Sequence, residues 1–139
     1  IKNNGNIVII SSESGTSGAF ASISYNASKA ALINLTQSLS NNFAYYNKIR
    51  VNCVSPGWVE TQNGKMNTNS NSLFVQKIAK VTPMMRNAKP KEIADVVYYL
   101  TTDQASFITG ANIIVDGGYS NFDVIYYEES FKKSLLAEN

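Results

Sequence analysis

The sequence has no histidine and a single cysteine. Without histidine there is no Ser-His-Asp or Cys-His arrangement to activate a nucleophile. Cys53 alone, with no imidazole to join it, argues against the ligand cluster of a zinc enzyme. Nor can one cysteine form an intramolecular disulfide; in the apolar run IRVNCVS it reads as a small buried hydrophobe, which favours a reducing, cytoplasmic setting. Excess charge of either sign is also lacking. Twelve Lys and Arg against ten Asp and Glu give +2, and the basic residues are scattered, so no footprint for nucleic acid or an anionic membrane is present. No apolar run is long enough to span a bilayer, and no charged-then-apolar leader pattern occurs.

What is there is a chain of 139 residues, 44% hydrophobic and 16% charged, suited to one globular domain. NIVIISS (residues 6–12) is short, apolar and β-branched, as expected of a strand buried on both faces of a parallel sheet. A Gly- and Ser-rich connection follows. From about Ser22 the period changes: Leu32, Leu35, Leu39 and Phe43 fall three or four apart, predicting an amphipathic helix to about Tyr46. KIRVNCVS predicts a second strand, stopped at Pro56-Gly57, a dipeptide that lets backbone come close to something else. The polar stretch TQNGKMNTNSNS reads as a loop, Leu73–Lys80 as a helical segment. A clearer helix opens at Pro90 with Ile93, Val96, Val97 and Leu100 on one side. ANIIVDGG predicts a third strand with a glycine stop, and the charged, aromatic tail from Tyr119 to Asn139 has no assignment. Strands alternating with helices mean crossover connections, hence an α/β fold with a parallel sheet of about three strands and helices on its faces.

Tyr25 and Lys29 stand four apart near the start of the first helix, so both lie on one face. A phenol near pKa 10 holds its proton at neutral pH. A cation close by favours the phenolate and makes such a group a usable general acid or base. Tyr-x-x-x-Lys also occurs by chance, as a half-buried ring beside a solvated amine. The surroundings strengthen the chemical reading. Ser12 lies at the carboxyl end of a predicted parallel strand, the edge where open α/β sheets place ligands, and Pro56-Gly57 ends the next strand at the same edge.

These stretches carry a family resemblance. IVIISSESG, then YNASKAAL with thirteen positions from Ser12 to Tyr25, then IRVNCVSPGWVET, and finally ITGANIIVDGG are similar, in order and spacing, to successive motifs of the short-chain dehydrogenase/reductase family, single-domain branch. The resemblance covers about residues 5 to 118 and corresponds to the C-terminal catalytic half of a Rossmann-type, doubly wound domain, leaving 119–139 as a tail. It implies an oxidoreductase that interconverts a small-molecule alcohol and a carbonyl with NAD or NADP. Tyr25 resembles the proton donor or acceptor, and Lys29 the residue that lowers the tyrosine's pKa and holds the nicotinamide ribose. Ser12 resembles the serine that orients the substrate oxygen; Ser11, its neighbour, should point the other way, and Ser11 and Ser14 equally suit local backbone. Pro56, Gly57, Val59 and Thr61 match the segment that holds the nicotinamide carboxamide, and Asn52 a structural asparagine. Trp58 suits either a substrate pocket or core. The family also implies a homo-oligomer, dimer or tetramer, and the small residues Ala27, Ala30 and Ala31 of the first helix permit close helix pairing.

The glycine-rich turn that receives a pyrophosphate in such folds has no counterpart in these residues. The expectation is therefore a fragment or a truncated product, with cofactor choice set by residues elsewhere and β-strand edges that call for a complementing half. The competing reading is a catalytically silent remnant that serves as an assembly or interaction element.

Overall fold

β-Branched runs and helical rows alternate as the periodicity demands. The computed structural model describes residues 4–17, 22–60 and 73–121. Its elements are strand β1 (Asn6–Ile10), helix α1 (Ile23–Asn47), strand β2 (Arg50–Pro56), helix α2 (Leu73–Val81), helix α3 (Pro90–Thr101) and strand β3 (Asn112–Val115), with short 3-10 turns at Glu13–Gly15, Asp103–Ala105 and Tyr119–Asn121. The three strands form one parallel sheet in the order β1-β2-β3. Ile9 pairs with Cys53 and Ile10 with Val54 on one side of β2; Val54 pairs with Ile113 on the other.

Alternation along β2 turns Val54 to one face and Val51 and Cys53 to the other. Val54 joins Leu100 and Ala105 in a fully buried cluster, with Val8, Ile93, Val96, Val97, Ile108, Ile113 and Val115 packed around it. This is the α3 side, and the apolar row read from the sequence is the row that packs. Pro90 occupies the first turn of α3, where its missing N–H costs nothing, and Glu92 accepts from the Lys89 amide at 2.7 Å. Val51 and Cys53, also fully buried, lie under α1.

α1 differs from its sequence reading in the side it presents. The residues of α1 that are buried are Thr36 and Ser40, while Leu32, Leu39 and Phe43 are half-buried and Leu35 is 45% exposed. Close approach decides this. A Cβ at Gly110 would stand 2.7 Å from Ser40 Oγ, so only a small side chain fits between helix and loop there. Each hydroxyl is satisfied within its own helix: Thr36 Oγ1 donates to the Leu32 carbonyl and Ser40 Oγ to that of Gln37, both at 2.8 Å. α1 runs one residue beyond Tyr46, to Asn47, and Lys48 closes it in the left-handed region.

The glycine stop after β3 is as expected: Gly117 and Gly118 have φ of +64° and +89°. Asp116 Oδ1 and Oδ2 accept from the Gly118 and Ser120 amides at 2.9 and 2.7 Å. Partial burial opposes ionisation of Asp116, but the hydrogen bonds from Ser120 and Gly118 outweigh it and hold the carboxyl below its ordinary range.

Candidate active site

β1 ends at Ile10, two residues earlier than the sequence suggests, because Ser12 caps the 3-10 turn that follows: its Oγ accepts from the Ser14 amide at 3.2 Å. Both serines are buried, at 4% and 8% exposure for Ser11 and Ser12, and they diverge as the alternation predicts. Ser11 Oγ donates to the Lys29 carbonyl at 2.7 Å, tying the end of β1 to the backbone of α1. Ser12 Oγ donates to Glu13 Oε2 at 2.6 Å. Ser11 is thus a structural hydroxyl, and Ser14 is engaged by the same carboxylate, through its hydroxyl at 2.7 Å and through its amide.

Tyr25 and Lys29 lie one turn apart on α1. The Lys29 ammonium stands 5.5 Å from the centroid of the Tyr25 ring, a cation–π distance, and donates to the Ile10 carbonyl at 3.3 Å. Tyr25 is 48% exposed. The ammonium therefore bridges the phenol to the carboxyl end of β1. Gly15 sets the closeness of the two elements: a Cβ there would meet the Lys29 carbonyl carbon at 2.8 Å and the Ala30 nitrogen at 3.0 Å.

The segment after β2 reaches the same edge of the sheet, since β1 and β2 run parallel and the Ser11 amide donates to the Val54 carbonyl at 2.8 Å. Gly57 does permit a close approach, but to this chain's own backbone: a Cβ would stand 2.8 Å from Asp116 Cα. Val59 forms a parallel bridge with Ala88, with the Glu60 amide on the Ala88 carbonyl and the Ala88 amide on the Trp58 carbonyl, both at 2.8 Å. Trp58 is 38% exposed. Thr61 lies outside the described residues, as does the polar stretch to Ser72. Asn52 is 1% exposed; its Nδ2 donates to the Ile108 carbonyl at 2.8 Å and its Oδ1 accepts from the Ala111 amide at 3.1 Å, which is the structural role expected of it.

The Arg86 guanidinium anchors this region to α3. It forms a two-pronged pair with Glu92 at 2.6 and 2.7 Å. That hydrogen bond, with the Lys89 amide, pulls the Glu92 carboxyl down to about 2 and raises Arg86. The residue that sequence reading passed over is Glu13, a carboxylate only 6% exposed directly beside Ser12. Among the described residues no cluster of His, Cys, Asp and Glu could hold a metal ion, and no helix is long and apolar enough to cross a membrane.

A family described as enoyl-(acyl carrier protein) reductase matches residues 1–120. The chain belongs to the short-chain dehydrogenase/reductase family. It is 40% identical over 124 residues to a D-arabinitol 2-dehydrogenase (ribulose-forming) of Candida tropicalis, covering 86% of this chain and 44% of that protein. It is 42% identical over 115 residues to a 3-oxoacyl-[acyl-carrier-protein] reductase of Rickettsia felis, covering 82% and 46%. Among solved structures, a double variant of a Serratia marcescens short-chain dehydrogenase/reductase superposes with TM-score 0.78 at 33% identity, covering 86% of this chain and 47% of that one. A 4-hydroxyisoleucine dehydrogenase complexed with NADH superposes with TM-score 0.74 at 35% identity, covering 86% and 48%. The chain thus spans under half the length of these relatives, and its three-stranded parallel sheet with flanking helices is the matching part of their Rossmann-type fold.

Proposed function

We propose that the chain carries the catalytic half of an NAD(P)-dependent oxidoreductase that interconverts an alcohol and a carbonyl. The observation that carries this reading is Lys29 poised over the Tyr25 ring while bonded to the Ile10 carbonyl, two residues before Ser12 in the chain. The donor set fits a nicotinamide riboside: an ammonium has three N–H donors, and the Ile10 carbonyl takes one, leaving two for ribose hydroxyls. In this reading Lys29 holds the ribose, Tyr25 moves the proton of the reacting oxygen, and Pro56, Gly57, Val59 and Thr61 face the carboxamide. Ser12 bonds the substrate oxygen. The bound dinucleotide supplies or accepts the hydride. The sheet supports such a site because its carboxyl edge gathers Ser12 and the segment after β2 from two adjacent strands.

The test is Tyr25→Phe in the full-length protein that contains this chain. With no histidine in these residues to move the proton instead, turnover should fall by more than about 10²-fold with an unchanged circular dichroism spectrum. Activity within a few-fold of the parent overturns the reading.

A further inference from the structure

Asp116 is the first residue after β3, and its carboxylate closes its own turn. Oδ1 accepts from the Gly118 amide and Oδ2 from the Ser120 amide, while the Asp116 carbonyl accepts from the Tyr119 amide at 3.2 Å. Gly117 and Gly118 supply the left-handed backbone that lets the chain double back onto this side chain. Both oxygens are needed. An asparagine in the same place offers one acceptor, and its amino group would face the second backbone N–H, donor against donor.

What the turn supports is the segment that follows β2. The Gly57 amide donates to the Val115 carbonyl at 3.0 Å, and a Cβ on Gly57 would stand 2.7 Å from Asp116 Cβ, so Gly57 rests on Asp116 itself. A second tie leaves from the next residue. The Gly117 carbonyl accepts from the Met84 amide at 3.3 Å, and Ala88, further along the same stretch, bonds the Trp58 carbonyl and the Glu60 amide. Arg86, Ala88, Asp116 and Gly117 line one cavity, so both ties belong to a single patch of structure. Residues 57–60 are thus braced twice from 116–117: directly under Gly57, and alongside Val59 by way of 84–88.

We propose that Asp116 is a positioning residue for the nicotinamide: by closing the turn at 116–120 it fixes the backbone of Gly57 to Val59, against which the carboxamide is held. The inference rests on the oxidoreductase reading above and adds to it a residue that acts only through the Gly57 backbone. Main-chain groups bind a carboxamide well when they are in place before the ligand arrives. A loosened turn leaves those groups present but displaced. In that reading the ribose is held by Lys29 and the adenosine by residues elsewhere, so displacing 57–60 weakens the hold on the nicotinamide and spares the rest.

The experiment measures, by calorimetry on the full-length protein, the affinity for NADH or NADPH, whichever binds more tightly, and for the same compound without its nicotinamide, ADP-ribose or its 2′-phosphate. The ratio of the two isolates what the nicotinamide adds. In Asp116→Asn, which keeps one of the two amide bonds, the ratio should fall about three- to tenfold, in line with the loss of one hydrogen bond. In Asp116→Ala, which loses both, it should fall further, while affinity for the nicotinamide-free compound stays within about twofold. If Asp116→Ala does not fold, the nearly isosteric Asn variant carries the test. A ratio unmoved in the folded variants, whatever their Tm, makes Asp116 a stabilising residue only and overturns the inference while the oxidoreductase reading stands. A parallel fall in both affinities overturns it equally. A parent that binds neither dinucleotide overturns the oxidoreductase reading and the inference with it; one that binds the two compounds equally overturns the placing of the nicotinamide on 57–60, and the inference too.

Discussion

Gly15 and Lys29 are in backbone contact: a Cβ placed on Gly15 would stand 2.8 Å from the Lys29 carbonyl carbon. The turn that carries Ser12 is therefore pressed directly on the helix that carries Tyr25 and Lys29, with Ser11 bonded to the same Lys29 carbonyl. The spacing of the candidate catalytic groups depends on a missing side chain.

Gly15→Ala should separate the two elements. The methyl would also meet the Ala30 nitrogen and Ile33 Cδ1 at 3.0 Å, so little can yield. We expect a destabilisation of about 1–3 kcal/mol, typical of overpacking. Turnover should fall more than stability does, since a displacement of about 1 Å can cost ~10²-fold. Thermal denaturation and kcat measured on the same preparation check this; an unchanged Tm with unchanged kcat refutes the close contact.

Lys29→Met should weaken cofactor binding without unfolding the protein. The bond that ties α1 to β1 at this point uses the Lys29 backbone carbonyl, which the substitution keeps. What is lost is the ammonium, with its bond to Ile10 and its remaining donors. Calorimetric titration of the full-length variant with NADH and NADPH should show affinity reduced at least about tenfold, given about 1.5–3 kcal/mol for hydrogen bonds to a charged group. Undiminished affinity would remove Lys29 from the cofactor site.

Glu92 gives a prediction with a defined pH window. Its folded-state carboxyl is lowered from 4.5 to about 2 by Arg86 and the Lys89 amide. A depressed carboxylate contributes stability that is present above the unfolded value and lost as pH falls through the folded one. The Tm difference between the parent and Glu92→Gln should therefore be level above about pH 5 and close between about 4.5 and 2. The pair is exposed at 43% and 40%, so the difference is modest and shrinks in salt. A gap that widens on acidification contradicts the assignment.

The parallel sheet and α3 were legible because burial on both faces and a 3.6-residue row leave period and composition in the sequence, as in NIVII and in Ile93, Val96, Val97 and Leu100. α1 was legible as a helix but not as to its inner side. Hydrophobicity ranks Leu35 above Thr36 and Ser40, whereas contact near Gly110 selects for size, and size wins. Ser12, Tyr25 and Lys29 could be singled out by their surroundings and the family resemblance, and the structure brings Lys29 over Tyr25 as their four-residue spacing permits. Glu13 could not. A glutamate between serines in a glycine-rich turn reads as solvated, and only the packing of that turn on α1 buries it. The bridge between Val59 and Ala88 joins residues far apart in the chain and leaves no local pattern.

β2 is the strand of the described sheet with neighbours on both sides, and Val51 to Ser55 are at most 1% exposed. Opening it breaks two hydrogen-bonded ladders and empties the core in one event, so its amides exchange with solvent at close to the cost of global unfolding. The segment from Gly57 to Val59 follows directly from this strand. The residues proposed to face the nicotinamide thus hang from the strand of the described sheet that is costliest to open, and amide exchange there should be among the slowest in the fold.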